Sequence, residues 1–373
     1  MKHRLLALIL VLPSLAWAAF TPSASILLDH RDIEVYENAG FKRTNERLIR
    51  VETQQGIEQS GQAKLYFDGK RATQKIIEAY TIRPNGERIT VDPDRIKVRN
   101  VDTDELAPYF SDQMMTVIIY PQVEIGSKLY YKAVTEQKTP TIKGQFSTSS
   151  YFSPYWKYEN VRIRVTLPTG LNVYTYSREI PQKTQTLVDG RVQHTFKFEQ
   201  KTAYPPEPNR VELSDFAPGI QITTYPSYKE LANTLQSLFN PKAQVTPEIQ
   251  ALTNKLTKHA HTPKERAQAV YDWVSANIRY VGVDVGSSGY EPHYAKDILA
   301  NRYGDCKDHT VLLEALLLAA GIQSTPALIN LSDTYFLQEG AGTNFDHVIT
   351  YVPSLDLSLA SPAQFPAFGT LRP

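Results

Sequence analysis

A single cysteine at the start of an apolar run constrains the fold of this chain more than any other feature. Cys306 follows the polar, turn-forming residues Tyr303–Asp305, and the run from Val311 to Ala320 is apolar at every position except Glu314. A helix that is apolar on nearly all sides is usually buried in the centre of a domain. Gly321 suits its C-terminal end. The sequence therefore predicts a central helix with a thiol at its N-terminus.

The position of Cys306 has two interpretations. The positive end of a helix dipole favours a thiolate, and a nucleophile held by a rigid helix is a recurring catalytic arrangement. A lone cysteine is also often a small buried hydrophobic residue. The polar residues on both sides of Cys306, such as Asp305 and Lys307, favour a position in a cleft.

Composition excludes several classes of protein. Of the 373 residues, 42% are hydrophobic and 21% are charged, which is typical of a folded chain long enough for two domains. The formal net charge is +1 and no basic block occurs, which argues against nucleic acid as a partner. No His, Cys or carboxylate cluster has metal-binding spacing and no glycine-rich phosphate loop occurs, so we expect neither a metal nor a cofactor.

The N-terminus resembles an export signal. Lys2 and Arg4 precede the apolar run Leu5–Leu15, and Ala16–Ala18 has the small-x-small pattern of a cleavage site. We expect residues 1–18 to be a signal peptide cleaved after Ala18, with the mature protein in the periplasm or secreted. No later stretch of about 20 apolar residues occurs, so no membrane anchor is expected after cleavage.

The first part of the mature chain has the pattern of strands. Runs rich in β-branched and aromatic residues flank Asn85–Gly86 and Asp189–Gly190, which are hairpin signals. Thr116–Tyr120 and Lys128–Val134 are predicted to form another such pair. Short strands with regular turn signals predict an antiparallel β-sandwich domain over residues 19–204.

A proline-rich break over residues 201–209 separates this region from a second domain, predicted over residues 211–373. There the pattern becomes helical, with helix starts predicted at Ser227 or Tyr228, at Thr246 and at Thr262, the last with a capping box to Glu265. Three histidines of this region, His259, His261 and His293, are more typical of surface or capping positions than of ligands.

His347 lies at the start of a predicted strand downstream of Cys306 and is the candidate base. If Pro353–Asp356 is a four-residue turn, residue 349 faces residue 360, and Ala360 is the diagonal neighbour of His347 on the same face. A carboxylate or amide that orients the imidazole should lie there. Asp356 is roughly 13 Å away along an extended strand. The alternatives left by the sequence are Asp346, Ser361 and Gln364.

These motifs resemble the transglutaminase-like superfamily. Tyr303–Asp308 and Phe345–Val348 carry the resemblance most strongly, and Asn277–Val281 and Gly289–His293 also match. The similarity is greatest to bacterial exported proteins that join a DUF3857 domain to a transglutaminase-like core.

The resemblance implies an α+β fold with a papain-like core and a Cys-His-Asp triad. It implies that Cys306 is the nucleophile and His347 the base. The family's aspartate falls within a segment that is Leu359–Phe365 here, and the aspartate position is occupied by Ala360.

Two functions follow from this resemblance. The first is a cysteine enzyme that acts on amide bonds of peptide or protein substrates through a thioacyl intermediate, by hydrolysis or acyl transfer. The second is a weak or inactive homologue, favoured by Ala360, that binds a peptide or an envelope partner. Neither requires a cofactor, and the sequence does not predict an oligomeric state.

Overall fold

The computed structural model describes residues 20–101, 109–284, 290–331, 334–342 and 345–360. The predicted signal peptide of residues 1–18 lies outside the described residues. So do residues 285–289 of the glycine-rich loop and the segment after Ala360, including Ser361 and Gln364.

The first part of the described chain is built mainly of strands. Its elements are β1 (Ala24–Val35), β2 (Phe41–Val51), α1 (Gln54–Ser60), β3 (Gln62–Asp68), β4 (Ala72–Ile82), β5 (Arg88–Thr90), β6 (Ile96–Asn100), β7 (Tyr109–Ser111), β8 (Gln113–Ile119), β9 (Lys128–Gln137), β10 (Ser147–Tyr151), β11 (Lys157–Leu167), β12 (Tyr174–Arg178), β13 (Gln182–Thr186), β14 (Val192–Gln200), α2 (Leu213–Phe216) and β15 (Gly219–Thr223).

The largest sheet contains eight of these strands in the order β13-β14-β11-β1-β2-β9-β4-β5. Its neighbouring pairs are antiparallel, as predicted, apart from β1 and β11, which run parallel. A parallel pair needs a long connection, and here the connection contains most of the other strands of the sheet.

Two predicted hairpins are confirmed and one pairing is wrong. β4 pairs with β5 and β13 with β14, around the predicted Asn-Gly and Asp-Gly turns. Gly86 has φ of 91° and Gly190 has φ of 82°, which explains the glycines. β8 does not pair with β9, because β8 lies between β3 and β6 while β9 lies between β2 and β4. The loop between β8 and β9 crosses from one layer to another, which the alternation of apolar residues alone does not reveal.

Two small sheets cover one face of the large sheet. The sheet β10-β15-β12 packs through Ile220 and Ile222 onto a core that includes Ile33 and Ile163. The sheet β3-β8-β6 packs onto a second core. β15, which follows the predicted break at residues 201–209, is hydrogen-bonded between two strands that precede that break.

Helices and short strands form the rest of the described chain: α3 (Tyr228–Phe239), α4 (Pro247–Leu256), α5 (Pro263–Asn277), β16 (Arg279–Tyr280), β17 (Gly282–Asp284), α6 (Ala295–Asn301), β18 (Tyr303–Gly304), α7 (Cys306–Ala319), β19 (Thr325–Ile329), β20 (His347–Val352) and β21 (Leu357–Leu359). Ser227, Thr246 and Thr262 cap α3, α4 and α5 as predicted, and Thr262 forms the predicted capping box with Glu265. No helix within the described ranges is long and apolar enough to cross a membrane.

The predicted central helix is confirmed. α7 is buried from Lys307 through Leu317, and it packs between α4, α5 and α6 on one side and β20 on the other. β20 is the middle strand of the sheet β19-β20-β21. Thr350 pairs with Leu359 and Val352 with Leu357, which is the predicted register of this hairpin. The fold is therefore α+β, with a sheet-rich first part and a core built around α7.

Candidate active site

Cys306 is the first residue of α7, where its backbone is fixed by the cap of the helix. The side chain of Asp305 accepts hydrogen bonds from the backbone N–H of Lys307 at 3.1 Å and of Asp308 at 3.2 Å. The side chain of Asp308 in turn accepts a hydrogen bond from the backbone N–H of Asp305, which completes a capping box. Gly304 is required before this cap, because a Cβ there would lie 2.5 Å from the Cβ of Asp308.

The structure brings together the two residues that the sequence singled out. His347 is the first residue of β20, and it lines a cavity of about 80 Å³ together with Cys306. The other residues that line the cavity are Leu235, Phe239, Tyr290, Lys307, Leu328, Phe345, Asp346 and Val348. Helix α7 and strand β20 pack directly against each other, so this pairing is set by the core of the domain.

Two neighbouring groups favour the thiolate form of Cys306. The backbone N–H of Val348 and the hydroxyl of Tyr280 each lower the pKa of the thiol. The Tyr280 ring is itself stacked on His309, with ring centroids 5.6 Å apart. Tyr280 was not predicted to be a site residue, although it lies within Asn277–Val281, a segment that resembles the family.

Burial raises the pKa of the Cys306 thiol, and the neighbouring Asp305 carboxylate raises it further. Lys307, Val348 and Tyr280 lower this pKa but do not offset burial. Desolvation of the sulfur therefore opposes the thiolate that the helix N-terminus was expected to favour.

Burial lowers the pKa of His347, while Asp346 raises it and His309 lowers it. His347 is 5% exposed, and its Nε2 atom is buried without a hydrogen-bond partner among the described residues. The imidazole is therefore held neutral, with one ring nitrogen lacking the partner that would orient it.

The predicted position of the orienting group is occupied by a methyl group. Continuing the observed register places Ala360 opposite Ile349, and Ala360 is 4% exposed. Asp356 accepts a hydrogen bond from the Tyr351 hydroxyl at 3.1 Å, and Asp346 accepts one from the backbone N–H of Leu331 at 2.7 Å. Neither carboxylate is hydrogen-bonded to Nε2 of His347.

A buried ionic layer supports the start of α7. Lys307 and Asp305 form an ion pair, and both side chains are less than a tenth exposed. Asp308 accepts hydrogen bonds from the backbone N–H of His293 at 2.9 Å and contacts its Nδ1 at 3.1 Å. His293 was predicted to be a surface or capping residue, and its contact with Asp308 was not predicted. The sequence signal that could have identified this ionic layer was the pair Asp305 and Asp308, which are three residues apart at the start of a helix.

An apolar groove of about 290 Å³ adjoins the cysteine cavity, between α3 and β19. Five residues line both cavities: Leu235, Phe239, Leu328, Phe345 and Val348. His259 and His261 lie elsewhere on the exposed surface, as predicted. No three His, Cys, Asp or Glu residues of the described chain are placed to hold a metal ion.

Two families match this chain. Residues 37–205 match DUF3857, a domain of unknown function, and residues 250–350 match the core of the transglutaminase-like superfamily. The second match contains both Cys306 and His347. A search of the curated proteins gave no match.

The chain is also similar to solved structures. A "putative protease" from Parabacteroides distasonis superposes with a TM-score of 0.76 at 16% identity, over 91% of this chain and 67% of that one. A two-domain M1 zinc metallopeptidase has a TM-score of only 0.29 at 14% identity, over 54% of this chain and 42% of that one, which is too low to indicate a shared fold. The chain thus has a peptidase-like or acyl-transfer fold, with a match to DUF3857 over residues 37–205 and to the core of the transglutaminase-like superfamily over residues 250–350.

Proposed function

We propose that this protein is a cysteine enzyme that cleaves or transfers acyl groups at amide bonds of peptide or protein substrates. The observation that carries the proposal is the cavity that Cys306 and His347 line together, at the start of α7 and at the start of β20. A thiol and an imidazole on adjacent rigid elements are the minimum set for thioacyl chemistry.

Burial raises the pKa of the Cys306 thiol and lowers the pKa of His347, so it disfavours the charged form of both groups, and we infer that the proton moves during attack. The sulfur of Cys306 attacks the substrate carbonyl carbon while His347 accepts the thiol proton. The new C–S bond forms a tetrahedral intermediate, and His347 then returns the proton to the leaving amine as the C–N bond breaks. Water or an amine attacks the thioester next, which releases an acid or a new amide and restores the thiol.

The apolar groove indicates which substrates fit. Its volume of about 290 Å³ would accommodate a large aliphatic or aromatic side chain, and five of its lining residues also line the cavity that contains Cys306. We therefore favour acyl groups with an apolar side chain next to the reacting carbonyl. The export signal expected at residues 1–18 would place this reaction on peptides of the periplasm or of the surrounding medium.

A second function is favoured by the missing orienting group. Removing the aspartate from a triad costs several orders of magnitude in rate, although a residual rate survives. With Ala360 beside an unpartnered Nε2 of His347, the same cavity and groove would serve to bind a peptide without rapid turnover.

Acylation by activated esters separates the two functions. The p-nitrophenyl ester of N-acetyl-leucine should form a covalent adduct at Cys306, detected by mass spectrometry, and release nitrophenol. His347→Ala should slow acylation about 100-fold or more if His347 is the base. Equal acylation of the wild type and His347→Ala, or modification elsewhere than Cys306, would favour the binding protein. Lys296→Ala, on an exposed position of α6, is the control.

A further inference from the structure

A strip of polar residues crosses the covered face of the large sheet, between the two small sheets. The side chains of Arg43, Asn45 and Arg47 on β2 lie on this face. On the same face, one apolar core lies near Phe41 and the other near Val51, at the two ends of β2. Asn45 is paired with Arg31 on β1, and Arg47 is paired with Asp29. An interior sheet face is ordinarily apolar, so three arginines here require an explanation.

The strip contains more positive than negative charge. Asp29 accepts two hydrogen bonds from Arg31, at 2.9 and 2.8 Å, and lies 3.9 Å from Arg47. The carboxylate of Asp29 is therefore the shared counter-ion of two guanidinium groups, those of Arg31 and Arg47. Arg43 has no hydrogen-bond or ion-pair partner among the described residues, and its guanidinium instead lies 5.9 Å from the ring of Phe41.

Buried polar atoms without partners are concentrated in this strip. They are the Nε atoms of Arg43 and Arg47, Oδ1 of Asn45 and, two strands away, Oε1 of Gln74. Most buried polar atoms in folded proteins have a partner. Arginine does not lose its proton, so the cost of burying Arg43 cannot be avoided by neutralisation. Burial and the neighbouring Arg31 both lower the pKa of Arg43.

The strip is accessible from solvent. The side chains of Arg31 and Arg47 are 30% and 28% exposed. Trp156 lies 5.7 Å from the Arg47 guanidinium and helps to fix its plane. Rotation of the Asn45 amide would replace its unpartnered Oδ1 with an NH₂ group, which is a further donor.

We propose that this strip binds an oxyanion, a carboxylate or a phosphate, held by Arg43 and Arg47 with Asn45 between them. Guanidinium groups recognise both anions through paired N–H donors. The bound anion supplies the acceptors that Arg43 and the two Nε atoms lack. The site lies in the DUF3857 region and does not depend on the chemistry at Cys306.

Thermal unfolding of the full chain tests the site with inorganic phosphate and with succinate, against sodium chloride at equal ionic strength. Either anion should raise the Tm saturably, by about 2–4 °C at a concentration well above its Kd. Arg43→Gln should abolish this rise. Arg164→Gln is the control, since Arg164 pairs with Asp32 on the opposite face of the neighbouring strand β11 and should leave the rise intact. The anion that binds more tightly identifies the ligand class.

Asn45→Asp tests the same idea without an added ligand. It places a carboxylate between Arg43 and Arg47, so it should raise the Tm in chloride alone and remove the response to phosphate and succinate. Equal responses in the wild type and Arg43→Gln, or no response to either anion, would overturn the proposal. So would an Asn45→Asp protein that is less stable in chloride and still responds to phosphate or succinate.

Discussion

Cys306 and His347 line the same cavity, Cys306 as the first residue of α7 and His347 as the first residue of β20. The two residues come together because α7 packs directly against β20 in the buried core. The neighbouring Val348 and Tyr280 both lower the pKa of the Cys306 thiol. Three separate elements therefore determine the environment of the sulfur.

Asp305→Asn should lower the pKa of the Cys306 thiol. The carboxylate of Asp305 raises that pKa, and asparagine removes the charge but can still cap the helix. Alkylation by iodoacetamide, followed from about pH 6 to about pH 10, should shift to lower pH and become several-fold faster near neutrality. Asp356→Asn, which removes a carboxylate bound to Tyr351, should leave the profile unchanged. An unshifted profile in Asp305→Asn would show that burial alone sets the pKa.

Ala360→Asp should increase the rate of acylation at Cys306. The new carboxylate can accept a hydrogen bond from Nε2 of His347 and raise the pKa of the imidazole, so that it becomes a stronger base. We expect at least about a 10-fold gain with p-nitrophenyl esters. Ala360→Asn supplies a hydrogen-bond acceptor without a charge, so it separates the effect of orienting the imidazole from the effect of the carboxylate charge. A folded Ala360→Asp protein with no gain over the wild type would show that the rest of the site is not assembled for catalysis.

Ala232→Trp should select against large acyl groups. Ala232 is an exposed residue of α3 that lines the apolar groove, so a tryptophan there can fill the groove without entering the core. The KM for the N-acetyl-leucine ester should rise about 10-fold, while acylation by p-nitrophenyl acetate changes little. Asn233→Trp, one position along the same helix and exposed, is the matched control. If both variants affect both esters equally, the groove does not take part in substrate recognition.

Glu314→Gln should stabilise the protein above neutral pH. Burial in the middle of α7 raises the pKa of Glu314 to about 8. The unfolded chain releases this proton near the ordinary glutamate pKa, so the wild type loses stability as the pH rises from there to the folded pKa. The difference between the two proteins should grow over this range to about 5 kcal/mol. Urea unfolding at several pH values measures it, with Glu58→Gln on the surface of α1 as the control. A difference that does not change with pH would mean that Glu314 is not neutral in the folded state.

Much of the local structure could be predicted because the signals lie within a few residues. Ser227, Thr246 and Thr262 start helices through bonds that each makes to a nearby backbone N–H, so neighbouring residues suffice to identify them. The register of β20 and β21 followed from the length of one turn. The same register located Ala360 as the diagonal neighbour of His347.

The partners of individual strands were not predictable in the same way. β8 and β9 each carry an apolar face, but they lie in different layers, and β1 pairs in parallel with β11 across most of the first domain. Pairing at such distances depends on which apolar faces meet in the core. The alternation of residues along a single strand does not contain that information.

The sequence by itself determined the order of thiol, helix and histidine, the starts of the main helices and the absence of a carboxylate at residue 360. These depend on residue type and on spacing along the chain. Only the tertiary structure decided that the sulfur of Cys306 is desolvated, that Nε2 of His347 lacks a partner among the described residues, and that Arg43 and Arg47 face an interior strip. Each of these properties depends on desolvation and on charges from distant segments of the chain. Desolvation and these charges arise only when the chain has folded.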